Sequence, residues 1–227
     1  MRQVRVVGES VRVEVHAMRL DLAPAGWESA LELVAPRWAR LASGRAPERS
    51  RLGEFGAGLL AARVLGVSRD EDLIVGDEGK LTLAAAGPEF NISHDDGLAV
   101  LAVATSGHGA VGVDVEDVPA AYGEPQNAAL RAVLSAAQLA EVESAADPAL
   151  ACALAWTRVE AVLKADGRGF AFRTRGGRLP DGWAVAQDVL EPVGGARHAL
   201  AVAAGEKPEV LVAWHDMGET IRWLAGR

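Results

Sequence analysis

The chain has 227 residues, a net charge of -8 and an isoelectric point near 5.2. Half its residues are hydrophobic and 24% are charged, so it has the composition of a globular protein with room for one large domain or two small fused ones. The acidic balance argues against DNA or RNA as a partner. One cysteine precludes an internal disulfide, and no apolar run reaches the ~18–20 residues of a membrane span.

The N-terminus alternates charged residues with valine and lacks a signal-peptide core, so a cytoplasmic protein is expected. Strands are expected at 4–7 and 11–20, joined by a turn at Gly8-Glu9-Ser10. In the second strand Val11, Val13 and Val15 share one face, and His16 falls on the polar face, where it reads as solvated. Helical character follows at 26–41, interrupted at Pro36. A second helix runs from Pro47 to Gly66, with Gly53, Gly56 and Gly58 marking either weakness or close packing. Residues 72–83 suggest a hairpin around Asp77–Lys80.

"FNISHDD" then enters the apolar stretch 97–104. Asn91 and Ser93 there suit an Asx/ST turn, and Ser93 and His94 equally suit an anion site at a loop-to-strand junction. A Ser/His/Asp hydrolase is also conceivable, but "NISHD" is no nucleophile elbow. After a turn at 106–109, "GVDVEDV" is a strand that puts Asp114 and Glu116 on one face. They are either an acidic solvated face or a pair of ligands for a hard divalent ion such as Mg²⁺.

Beyond a loop at 119–125, helices are expected at 126–146 and 148–166. Cys152 in "ALACALAW" reads as a small core residue. Trp156, Glu160 and Lys164 recur at helical spacing, as a surface ion pair or as a third ligand beside a phosphate-binding lysine. "DGRGF", with Arg168, is the glycine-rich exit of this helix. The remainder reads as strands: "WAVAQDVL", "HALAVAAG" and "EVLVAWHDM". "GLAVLAVA" (97–104) and "HALAVAAG" (198–205) form a weak internal echo, consistent with two similar halves or with chance.

Taken in order, "FNISH", "GVDVE" and "WTRVEAVLKADGRG" make the chain resemble the 4′-phosphopantetheinyl transferases, in particular the long, monomeric surfactin-synthetase-activating type, over residues 49–170. The resemblance implies an α+β fold of two pseudo-symmetric α/β-type halves, about 1–117 and 118–227, with coenzyme A in the cleft between them. It implies Mg²⁺-dependent transfer of phosphopantetheine from coenzyme A to a serine of an acyl- or peptidyl-carrier protein, releasing adenosine 3′,5′-bisphosphate. Asp114, Glu116 and Glu160 would hold the metal, Lys164 would contact the pyrophosphate, and Glu160 would also be the candidate base. Ser93 and His94, with Arg49 from "ERSRLGE" and Lys80 from "EGKL", would contact phosphates.

Two positions depart from the family form. Val159 stands where a lysine is usual, and Gly58 stands where an arginine is common, with Arg63 further along. A relative that binds without efficient transfer and a Mg²⁺-dependent nucleotide phosphohydrolase are the alternatives. Carrier docking is expected around 119–140, with Val133, Leu134 and Leu139 as candidates that also suit a core.

Overall fold

The computed structural model describes residues 10–76, 78–106, 109–169, 178–192 and 196–227. The strand expected at 4–7 lies outside them, as does Phe170, and the turns at 8–10 and 106–109 lie partly outside.

The fold is α+β and has four layers. Strand β1 (Val11–Arg19) is central to one sheet, and its alternating valines set its inner face. Next come a 3₁₀ segment (Trp27–Leu33), α1 (Pro36–Ala42) and α2 (Glu48–Leu60). Pro36 therefore begins a helix rather than interrupting one, as its fixed φ and missing N–H allow at that position. Helix α2 continues through a π turn to Gly66, at φ 72.

The hairpin β2 (Leu73–Val75) and β3 (Leu81–Leu83) stands apart. Strands β4 (Phe90–Asp95) and β5 (Leu98–Ala104) follow and complete the order β4-β5-β1 within the first sheet. "FNISH" is thus a strand, not a loop or capping turn: its backbone pairs with β5, Ser93 opposite Val100.

Strand β6 (Val111–Asp117) opens the second sheet. The single helix expected at 126–146 is two, α3 (Glu124–Val133) and α4 (Ala136–Glu143). Ser135 breaks the run by capping α4, accepting from Gln138 N in a capping box. Helix α5 (Pro148–Asp166) starts at the Asp147 cap and stops at Gly167, at φ 79. Then come β7 (Ala184–Leu190), β8 (His198–Ala204) and β9 (Pro208–His215). A final helix, α6 (Met217–Ala225), was not expected; its signal is the Asp216 cap, which accepts from Glu219 N.

The second sheet has the order β6-β8-β7, and β9 returns to the first sheet, parallel to β1. The two halves share one topology. Strand, helices and an antiparallel pair give β4-β5-β1 in the first and β7-β8-β6 in the second. The echoing segments are β5 and β8, the buried central strand of each. Although β6 precedes residue 118, its ladder partner is β8.

The sheets stack face to face on side chains such as Val13, Val100, Val113 and Val202. Helix α2 covers the outer face of the first sheet and α5 that of the second. The α2 glycines mark close packing. A Cβ on Gly56 would lie 2.6 Å from Leu20, and one on Gly58 would lie 2.9 Å from both Val34 and Trp38. An arginine has no room at Gly58. Arg63 does not replace it at the cleft, since its guanidinium stacks on Trp223 of α6 at 3.7 Å. His16 is not solvated: it is largely buried against His215 of β9, with ring nitrogens 2.9 Å apart.

Candidate functional site

Alternation along β6 sends Val111, Val113 and Val115 between the sheets and Gly112, Asp114 and Glu116 toward α5. Gly112 sets the spacing. A Cβ there would lie 2.0 Å from Ala161 O and 2.4 Å from Ala165 N, so strand and helix touch backbone to backbone. That approach brings Lys164 onto Asp114. Its Nζ donates to Asp114 Oδ1 at 2.6 Å and to Ser93 Oγ at 3.0 Å, while Ser93 Oγ donates to the same Oδ1 at 2.8 Å.

The polar residues of β4 have a shared task. Asn91, Ser93 and Asp95 project on one face toward β6, where side chains substitute for a backbone ladder. Val113 N donates to Asn91 Oδ1 at 3.0 Å, Ser93 holds Asp114, and Asp117 N donates to Asp95 Oδ2. This seam joins the two sheets and explains why a polar cluster sits on a buried strand. His94, one residue on from Ser93, faces the other way. Its ring lies against Gly53 of α2, where a Cβ would come within 2.4 Å, and 3.6 Å from Glu54. Ser93 and His94 therefore do not converge on one anion position.

The carboxylates are strained electrostatically. Asp114 is 2% exposed, and burial raises its pKa against the opposing pull of Lys164 and Ser93. Burial foremost, then Asp114 and Asp95, push the Glu116 carboxyl up to about 8, with a smaller push from Glu160. Glu160 is raised by burial and by Asp114. Asp114 Oδ2 is buried with no hydrogen-bond partner. Among the described residues, no group of three His, Cys, Asp or Glu side chains converges on one ion position as it stands. Lys164 lies on the carboxylate such a group would need.

Lys80 approaches the same region from the β2–β3 hairpin. Its Nζ donates to Ala165 O at 2.9 Å, near the end of α5, and burial lowers its pKa. Lys80, Lys164, Asn91 and Gly169 line a cleft of about 240 Å³. Arg49 lies instead on a second, wider cleft of about 730 Å³, paired with Asp96 at 3.0 Å. Arg168 is paired with Asp166.

Val159 is buried beside Val133 and Leu163, away from the carboxylates. Of the docking candidates, Val133 is core, and Leu134 and Leu139 pack partly buried around Leu130 and Cys152. The Cys152 thiol is pushed up by burial and by Glu116. Glu116, Leu130, Cys152 and Trp156 line a pocket of about 330 Å³ that sequence reasoning missed. No helix among the described residues is long and apolar enough to cross a membrane.

Residues 110–189 match the family model of the 4′-phosphopantetheinyl transferase superfamily. The match covers a little over a third of the chain and includes Asp114, Glu116, Glu160 and Lys164. No curated protein matches the chain.

Proposed function

We propose that the protein is a phosphopantetheinyl transferase of the long, monomeric, surfactin-synthetase-activating type. It moves the phosphopantetheine arm of coenzyme A to a carrier-protein serine in the cytoplasm. The observation that carries this reading is the Lys164–Asp114 contact beside Glu116 and Glu160, inside the segment that matches the superfamily.

The residues fit a divalent metal by chemistry. The donors are carboxylate oxygens, as Mg²⁺ prefers, and Asp114 Oδ2 is a buried acceptor with no partner. Asp114, Glu116 and Glu160 would hold the ion, which supplies charge neutralisation at the pyrophosphate. Lys164 and Lys80 bind donor phosphate oxygens, Arg49 and His94 are assigned to the nucleotide phosphates, and Ser93, turned toward Asp114, positions Lys164 instead of meeting a phosphate. Glu160 takes the proton from the carrier serine as its Oγ bonds to phosphorus. The phosphorus–oxygen bond to adenosine 3′,5′-bisphosphate breaks, and Lys164 stabilises the departing oxygen. The division into 1–117 and 118–227 belongs to this proposal, with β6 lending its carboxylates to the second sheet. The carrier meets the apolar pocket beside Glu116 and the segment 119–140.

Incubation with coenzyme A, Mg²⁺ and an apo carrier protein tests this. A carrier mass gain of one phosphopantetheine arm is expected. Coenzyme A binding with no gain would identify a binding protein, and phosphate release without carrier a phosphohydrolase.

A further inference from the structure

Lys164 and Ser93 share a single oxygen of Asp114, and the carboxylate is too deeply buried to stand without a cation. The charges that act on Asp114, Glu116 and Glu160 include the Asp95 carboxylate and one cation, Lys164. Asp114 and Ser93 are fixed by neighbouring strands, whereas Lys164 carries its charge on a flexible four-carbon stem and is partly exposed. Of the three, the lysine is the group that can leave.

We propose that Lys164 is the resident counter-ion of Asp114, latched there by the Ser93 hydroxyl, and that a divalent cation must exchange with it on this carboxylate. An anionic donor that draws Lys164 to its phosphates then frees Oδ1, so donor and cation bind cooperatively and reciprocally. The coupling rests on the donor reading of the cleft; the exchange itself rests on the geometry of Ser93, Asp114 and Lys164.

Two measurements on donor-free protein test the exchange. In the wild type, acetic anhydride labelling of Lys164, read by peptide mass mapping, speeds up when Mg²⁺ is added; an unchanged rate overturns the proposal. In Lys164→Met, checked for folding by circular dichroism, calorimetric Mn²⁺ affinity rises by about tenfold, within the range usual for coupled sites. Equal or weaker Mn²⁺ binding by the folded variant also overturns it. Ser93→Ala shifts affinity the same way by less. Failure of the wild type to load an apo carrier removes the donor reading and leaves the exchange standing. Loading with unchanged Lys164 labelling does the reverse.

Discussion

Replacing Gly112 with alanine adds one methyl group at the tightest contact between β6 and α5. That Cβ would sit 2.0 Å from Ala161 O and 2.4 Å from Ala165 N, both backbone atoms that cannot rotate away. Restoring ordinary contact at 3.4 Å requires α5 to retreat by about 1.4 Å. The same retreat draws the backbone of Lys164 away from Asp114, so the lysine must extend to keep its 2.6 Å contact. Overpacking of this kind costs about 1–3 kcal/mol, and the strained ion pair puts Gly112→Ala at the top of that range. At about 2–4 °C per kcal/mol for a chain of this size, Tm falls by roughly 6–12 °C. Thermal unfolding by circular dichroism reads this directly. Gly205→Ala is the control, since a Cβ there meets nothing within 4 Å. A Gly112→Ala protein melting within 2 °C of wild type, on the scale of ~2–4 °C per kcal/mol, would refute the claim that this glycine sets the distance between strand and helix.

Asn91→Ala strands the Val113 N–H in the seam and costs about 1–3 kcal/mol in urea unfolding. Val159→Lys supplies the lysine usual in the resembling family but buries an ammonium beside Val133 and Leu163. It destabilises by about 3–5 kcal/mol in the same assay and gains no transfer activity. The raised Glu116 and Glu160 groups make stability depend on pH. Their neutral forms are favoured by the fold, so the unfolded chain binds fewer protons between its ordinary carboxyl pKa of 4.5 and the folded value of about 8 for Glu116. In chelator, Tm therefore falls as pH rises across that window and levels off above it, and added Mg²⁺ narrows the loss.

Elements with a strong local signal were readable in the sequence. Alternating valines gave β1, the Gly112–Asp117 run gave a strand with both carboxylates on one face, and the glycine-rich exit marked the end of α5. What misled was polarity taken as a sign of solvent. "NISHD" reads as a loop because its partners lie about twenty residues away on β6, and no local rule shows that Asn91, Ser93 and Asp95 serve as a ladder. His16 reads as solvated for the same reason, because His215 arrives from the far end of the chain. Asp114 with Glu116, and Glu160 with Lys164, were each legible as a pair on one face, and the family resemblance joined the two pairs into one set. The contact that balances Asp114 was not legible. It depends on how closely Gly112 lets α5 approach, which is a packing fact rather than a pattern.

We propose that the Asp114, Glu116, Glu160 and Lys164 cluster performs phosphopantetheinyl transfer. The most direct test compares wild type and Glu160→Gln by intact mass of an apo carrier protein after incubation with coenzyme A and Mg²⁺. A gain of one phosphopantetheine arm is expected with wild type and none with the variant. Full transfer by Glu160→Gln, or no transfer by wild type to any carrier class, would contradict it.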